Sequence, residues 1–196
     1  IQVQAQIPAG YYNNAYNGAV PKTCAELKTA LFQIITTDTL NIPYNSQNNV
    51  LFDTRAAVNK LDLRRNDANT ADIIWDMYTD NPTGPEVVEF IPVVNQCGSN
   101  TQPEIGFCYN REHSFPMAWF GGSIQPMRTD MHALFATDAW SNARHDNYPY
   151  GEVGNAEWTS PAGAKLGSCS FPGYNGKVFE PIDAYKGDFA RAMFYM

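Results

Sequence analysis

The short segment Asn110–Pro116 constrains the fold more than any other stretch of the sequence. It places a carboxylate, Glu112, directly beside an imidazole, His113. Such a pair can hold a metal ion and accept a proton, but a metal site needs a further ligand from elsewhere. The best candidate is Asn142, which follows His113 by 29 residues. If these residues act together, the chain must fold so that the two segments meet.

Composition narrows the class of protein to which the chain can belong. A length of 196 residues fits one domain, or one domain with a small appendage. The sequence is 44% hydrophobic and 17% charged, which excludes a disordered or coiled-coil chain. No segment approaches the roughly 20 consecutive apolar residues of a membrane-spanning helix, so no membrane partner is expected.

Residues 1–6 are typical of the remnant of a secretory signal peptide, or of a disordered tail. Val3 and Ala5 are small residues at alternate positions, as a signal peptidase requires. Together with the cysteines, this pattern predicts a secreted or periplasmic protein. Residues 7–196 are expected to form a single domain. Because the last apolar pattern reaches Met196 without a helix cap, we expect the native protein to continue further.

The four cysteines are Cys24, Cys97, Cys108 and Cys169, and none forms a C-x-x-C pair. Cys97 and Cys108 bracket a short polar loop just before Glu112, where a bridge would staple the entry to the candidate site. Elimination then pairs Cys24 with Cys169. Four cysteines allow three connectivities, and four free thiols are the alternative. The loop-rich composition favours two disulfides.

The pattern of apolar residues predicts helices and strands within one α+β domain. Thr23–Glu26 has the spacing of a capping box and opens an amphipathic helix that runs to about Thr36. A second helix is predicted from a cap at Thr137 to Arg144. A third is predicted from Gly187 onwards.

Strands are predicted for the apolar segments 71–78 and 87–94, and a short strand or strand end for 129–134. Residues 152–176 are rich in Gly, Ser and Pro and are predicted to be a loop. The segment 51–65 is the most basic stretch, and its structure is ambiguous from the sequence.

The candidate site has a definite chemistry. Glu112 and Asn142 offer hard oxygen ligands, which select Mg²⁺, Ca²⁺ or Mn²⁺ rather than zinc. Two protein ligands leave most of the coordination shell to water and substrate, which suits metal-assisted hydrolysis of a phosphodiester. His113 would act as the general base. From spacing alone, however, the favoured interpretation of Glu112 and His113 is a surface carboxylate beside a hydrogen-bonded histidine.

Several ordered motifs resemble the endonuclease I family of secreted and periplasmic nucleases, which belongs to the ββα-metal (His-Me finger) group. They are Tyr109–Pro116, Thr129–Leu134 and Asn142–Gly151. The resemblance extends more loosely to the N-terminal helix, to residues 178–181 and to residues 186–191. It covers most of the chain, and it implies a nuclease domain with a central ββα-metal motif and flanking helices.

The resemblance assigns a role to each candidate residue. His113 matches the general base, Glu112 the first metal ligand and Asn142 the second ligand, carried on a helix. Asp130 and His132 match a D-x-H element that positions the site. The family also implies one divalent cation on the scissile phosphate, with Mg²⁺ ahead of Ca²⁺ and Mn²⁺. The expected substrate is DNA, and often RNA, cleaved with little sequence preference.

Phosphate binding is predicted for three arginines, Arg111, Arg144 and Arg191, although an arginine in such a place can equally form a structural salt bridge. His145 stands where relatives lead us to expect Arg. We therefore expect phosphate binding at this position to be weaker, or to be carried out by Arg144 instead. A monomer is expected.

The net charge of −7 counts against attraction of a polyanion by the overall field. No basic island surrounds the candidate site. Either a local basic groove binds the nucleic-acid backbone, or the bound metal provides more of the attraction. Such a groove could include the basic residues of segment 51–65, which are Arg55, Lys60, Arg64 and Arg65.

A non-enzymatic alternative is a secreted module that binds glycans or surfaces through Ca²⁺. The acidic charge and the high Asn and Tyr content suit it. The joint presence of Glu112, His113 and Asn142 favours the enzyme, because a binding module has no reason to keep these three residues together.

Overall fold

Four α-helices and seven β-strands make up the part of the chain that the computed structural model describes, which confirms the predicted α+β class. The described residues are Ala15 and the ranges 23–37, 40–45, 52–98 and 101–196. Residues 1–6, predicted to be a signal remnant, lie outside them. The chain divides into a unit of residues 1–40 and a unit of residues 41–196.

The helices are α1 (Cys24–Thr36), α2 (Thr54–Leu61), α3 (Ala139–His145) and α4 (Lys186–Tyr195). The strands are β1 (Leu63–Arg65), β2 (Asp72–Ile74), β3 (Tyr109–His113), β4 (Leu134–Asp138), β5 (Val153–Thr159), β6 (Lys165–Cys169) and β7 (Lys177–Glu180). Short 3-10 helices lie at Met117–Phe120, Met127–Thr129 and Asp183–Tyr185. Among the described residues, no helix has the length and apolar character needed to span a bilayer.

Helix α1 belongs to the first unit and begins as the sequence predicts. The Thr23 side chain accepts a hydrogen bond from the Glu26 amide, and the Glu26 carboxylate accepts one from the Thr23 amide at 2.8 Å. This reciprocal capping satisfies backbone donors that the first turn of a helix leaves without partners.

In the second unit, β3 and β4 pair antiparallel, with Glu112 opposite Phe135. Successive side chains of a strand point to opposite faces of its sheet. Leu134 and Ala136 therefore enter one buried cluster, with Val58, Ile74, Phe90 and Tyr109. Phe135 packs against the other cluster, formed by Met77, Tyr78, Ala164, Phe179, Ile182, Tyr185 and Phe189. Glu112 shares a face with Phe135, so its side chain enters the second, aromatic cluster.

Helix α3 follows β4 without a loop. Its N-cap is Asp138, whose carboxylate accepts a hydrogen bond from the Ser141 amide at 2.7 Å. The cap predicted at Thr137 is therefore wrong by one residue. Thr137 is buried within β4, while Asp138 stands at the junction and has the side chain preferred there. Residues 129–133 form the end of a 3-10 helix and a turn. The strand predicted at 129–134 is therefore wrong except at Leu134, where β4 begins.

The loop predicted for residues 152–176 is wrong. These residues contain β5 and β6, which form a three-stranded antiparallel sheet with β7. Small residues are needed here, because a Cβ atom at Gly167 would lie 2.1 Å from the carbonyl oxygen of Asn155. Glycine thus permits the close approach of two strands, although in sequence it indicates a loop.

Two other strand predictions need correction. The strand predicted at 71–78 is reduced to Asp72–Ile74, and the segment 87–94 contains no strand. Val93 has a φ of 70°, which is incompatible with an extended strand. The Asn95 side chain accepts a hydrogen bond from the Ile91 amide at 2.7 Å and holds this turn. The ambiguous segment 51–65 forms α2 and β1 where it is described.

Cys97 and Cys108 form the predicted disulfide, with their Cα atoms 5.9 Å apart. The Cys97 amide also donates a hydrogen bond to the Tyr109 carbonyl, which ties the loop to the start of β3. The predicted Cys24–Cys169 bridge is wrong, because both residues carry free thiols. Elimination assumed that every cysteine is paired, and this chain does not meet that condition.

Replacing both bridged residues, Cys97→Ser with Cys108→Ser, should lower the free energy of unfolding by about 3 kcal/mol, because the unfolded chain gains the freedom of the opened loop. Urea unfolding measures this change. The control is Cys24→Ser, which removes an unbridged thiol and should leave the unfolding midpoint unchanged. Equal stability of the double variant and the native protein would contradict a stabilising bridge.

Candidate active site

The end of β3 and the helix α3 border a cleft of about 580 Å³. Glu112, His113 and Asn142 all line it, as do Arg111 and Arg144. The fold therefore brings together two segments that are 29 residues apart, as the site prediction requires. It does so through the direct passage from β4 into α3, which leaves Asn142 beside β3.

Three residues predicted for the site lie elsewhere. His132 and Arg191 line a second cleft of about 400 Å³. Asp130 accepts a hydrogen bond from Nδ1 of His132 at 3.0 Å and one from the Tyr195 hydroxyl at 2.9 Å. Arg191 pairs with Asp188 on α4. The structure does not bring these side chains to the first cleft.

His113 is held in one tautomer by the backbone. Its Nε2 lies 2.9 Å from the carbonyl oxygen of Arg128. A carbonyl oxygen only accepts hydrogen bonds, so Nε2 carries the proton and the lone pair is on Nδ1. Burial lowers the pKa of His113 from its ordinary value of 6.5. The ring is therefore neutral near pH 7 and can accept a proton at Nδ1.

Glu112 is buried, with 3% of its surface exposed, and one of its oxygens is held by two donors. The Tyr78 hydroxyl donates to Oε1 at 2.7 Å, and Nδ1 of His145 makes a short hydrogen bond to the same oxygen. The Tyr150 hydroxyl lies 2.7 Å from that of Tyr78, and the rings of Tyr150 and His145 stack at 4.6 Å. We call Tyr78, His145 and Tyr150 the carboxylate clamp.

The phenols of the carboxylate clamp stay protonated. Burial raises the pKa of Tyr78 and of Tyr150 well above 10, and the nearby Glu112 charge raises both further. Since Tyr78 donates to Glu112, Tyr150 must donate to Tyr78. The clamp therefore forms a chain of hydrogen bonds that ends on Oε1 and fixes the orientation of the carboxylate.

Asn142 is oriented by β3. Its Nδ2 donates to Oδ1 of Asn110 at 2.9 Å and to the backbone carbonyl of Arg111 at 3.3 Å. Both donors of the amide group are thus directed at the strand that carries Glu112. The helix that carries Asn142 is fixed in turn by the buried Asp138 cap.

The donor set fits a hard divalent cation. Glu112 and Asn142 line the same cleft and provide carboxylate and amide oxygens. Within the described ranges, no group of three or more His, Cys, Asp and Glu side chains could hold a metal ion. The oxygen ligands of the cleft suit an ion that keeps most of its coordination shell for water and substrate.

The arginines of the cleft differ in how many hydrogen bonds they donate to neighbouring residues. The guanidinium of Arg111 donates to Oγ1 of Thr54 at 2.7 Å, to Oδ1 of Asn45 at 3.0 Å and to the carbonyl of Tyr44. It holds the segment before α2 against β3. Arg111 also stacks over the Tyr44 ring, with its guanidinium carbon 3.8 Å from the ring centre. Arg144 stacks over Trp140, on the same helix, with its guanidinium carbon 4.1 Å from the ring centre.

Sequence reasoning missed the carboxylate clamp and the role of the Arg128 carbonyl. Tyr78 precedes Glu112 by 34 residues and has no spacing that marks it. His145 has one signal, its departure from the expected Arg, but this signal does not indicate its place in the structure. His145 is 1% exposed and is hydrogen bonded to Glu112. A backbone carbonyl leaves no trace in residue type.

Comparison with known proteins identifies the family to which the chain belongs. The family model for Endonuclease I matches residues 23–196, and the chain belongs to this family. It is a nuclease that hydrolyses phosphodiester bonds of nucleic acid, and members of the family generally depend on a divalent metal. No curated protein and no solved structure matches the chain.

His113 and His132 should titrate on opposite sides of the ordinary histidine pKa of 6.5. Burial lowers the pKa of His113, whereas the hydrogen bond to Asp130 raises that of His132. As the pH falls, His132 should therefore gain its proton before His113. NMR titration of the ring protons, assigned with His113→Ala and His132→Gln, measures both. A His113 midpoint above 6.5 would contradict its neutral state at pH 7.

Proposed function

We propose that the chain is a secreted or periplasmic endonuclease that cleaves DNA, and also RNA, with little sequence preference and with one divalent cation, Mg²⁺ in first place. The observation that carries the proposal is the meeting of Glu112, His113 and Asn142 in one cleft. The order β3, β4, α3 supports a ββα-metal arrangement of these residues. The Cys97–Cys108 disulfide suits an oxidising compartment.

His113 would supply the base for the reaction. Its Nδ1 lone pair accepts a proton from the attacking water, while Nε2 remains bonded to the Arg128 carbonyl. The carbonyl keeps the ring from rotating, and it stabilises the imidazolium that forms. Burial of the ring keeps it unprotonated, and so ready to react, near neutral pH.

Glu112 and Asn142 would hold the cation. When bound, the ion would neutralise the charge that develops on the phosphate and on the leaving oxygen. The carboxylate clamp fixes Oε1 of Glu112, so the orientation of the other oxygen is set before any ion arrives. Products with a 5′-phosphate follow from the family resemblance. We propose a monomer.

The non-enzymatic module is set aside. Membership of the family makes the chain a nuclease, and the three residues that a binding module would not need together line one cleft.

Nicking of supercoiled plasmid tests the proposed function. The native protein should nick it with Mg²⁺ and not with EDTA. His113→Ala should lower the rate by about 10²–10⁴-fold, as expected for loss of a general base. Glu112→Gln should also lower the rate, because it weakens binding of the cation. The matched control is Glu157→Gln on β5, an exposed carboxylate paired with Lys177, which should keep the native rate.

Activity in EDTA, or equal activity of His113→Ala and the native protein, would refute the proposed mechanism. Cleavage of duplex DNA, single-stranded DNA and RNA of one sequence, compared side by side, decides the substrate.

The role of the carboxylate clamp is tested by cation affinity. Tyr78→Phe removes one of the two donors to Glu112 and should weaken binding of Mn²⁺ by about 10–100-fold, the usual effect of losing an outer hydrogen bond to a metal ligand. Electron paramagnetic resonance of free Mn²⁺ measures the affinity. Tyr150→Phe is the control: its hydroxyl contacts Tyr78 but not Glu112, so its effect should be smaller. Unchanged affinity in Tyr78→Phe would show that the clamp is only structural.

A further inference from the structure

The net charge of −7 leaves open how the cleft holds a polyanion. The basic segment 51–65 gives only part of an answer. Arg64 pairs with Asp80 and Glu86, and Arg65 pairs with Asp72 at 3.0 Å. Their charges are neutralised within the fold, so they are poor candidates for phosphate binding.

Two other arginines form no ion pair with a carboxylate among the described residues. Arg128 and Arg144 each have a buried Nε atom without a hydrogen-bond partner. Throughout the described part of the chain, neither guanidinium forms an ion pair with a carboxylate. Each is stacked on an aromatic ring instead, Arg128 over Tyr44 at 4.5 Å and Arg144 over Trp140 at 4.1 Å. The shared arrangement sets these two apart from the ion-paired arginines.

Arg128 lies beside the general base. Its carbonyl accepts the hydrogen bond from His113, and its guanidinium covers Tyr44. Tyr44 lines the cleft, and its ring centre is 5.6 Å from that of His113. Arg144 occupies the corresponding place beside the proposed metal ligand Asn142, which it follows by two residues on α3. The two stacked arginines therefore flank the candidate active site.

We propose that Arg128 is a phosphate-binding residue of the nuclease, which contacts the nucleic-acid strand on the His113 side of the cleft while Arg144 contacts it on the Asn142 side. The inference rests on the proposed function. A guanidinium stacked on a ring is already held in place, so less entropy is lost when it binds a phosphate. No carboxylate among the described residues competes for it. The acidic chain thus presents local positive charge where the substrate reacts.

The test is the salt dependence of DNA binding, measured in EDTA so that the strand is not cut. Fluorescence anisotropy of a labelled duplex gives Kd over a series of KCl concentrations. Arg128→Ala should weaken binding on the order of tenfold at low salt, and it should reduce the slope of log K against log salt by about 0.9, the loss of one phosphate contact.

The matched control is Arg65→Ala, which makes the same change in net charge at an ion-paired arginine. It should leave both Kd and slope unchanged. Arg128→Lys keeps the charge without the planar fork, so it should restore the slope and only part of the affinity. This variant separates phosphate binding from a packing role of the side chain on Tyr44, which a lysine would not restore.

Equal slopes for Arg128→Ala and Arg65→Ala would overturn the proposal. So would an absence of binding by the native protein in EDTA, since the cation rather than arginine would then supply the grip. Neither result touches the nicking assay with Mg²⁺, which decides separately whether the chain is a metal-dependent nuclease.

Discussion

The structure depends on a carboxylate that is buried inside an aromatic core. A charged group removed from water costs several kcal/mol unless hydrogen bonds replace its hydration. Glu112 is placed in this position by the register of β3 and β4, which puts it on the same face as Phe135. Tyr78 and His145 then provide the donors. Phenol and imidazole groups can fill such a core and still donate a hydrogen bond.

The cleft residues Glu112, His113 and Asn142 could be selected from the sequence. The adjacent pair stands in one local motif, and the motifs that resemble the endonuclease I family point to Asn142. The hydrogen bonds that hold Glu112 could not be predicted in this way. They come from Tyr78 and His145, which reach the strand only through tertiary packing. Arg191 was misplaced for the same reason, since nothing local indicates which cleft α4 borders.

The errors in the fold also have physical causes. Gly167 is a loop signal by propensity, but the close approach of β5 and β6 requires it. The apolar run 87–94 has the composition of a strand, yet the turn held by Asn95 and the positive φ of Val93 prevent pairing. In both places tertiary contacts decided the backbone conformation against the local preference.

Glu112 and His113 are neighbours in the chain, but they occupy separate surroundings because alternate residues of β3 face opposite ways. Tyr78, His145 and Tyr150 surround the first, whereas Tyr44, Phe120 and the Arg128 carbonyl surround the second. A substitution around one of them therefore changes no packing contact of the other, although the Glu112 charge still acts on the pKa of His113. In the proposed mechanism, ion preference depends on the first surroundings and the working pH mainly on the second. An engineer can therefore adjust either property by repacking one side of a single strand.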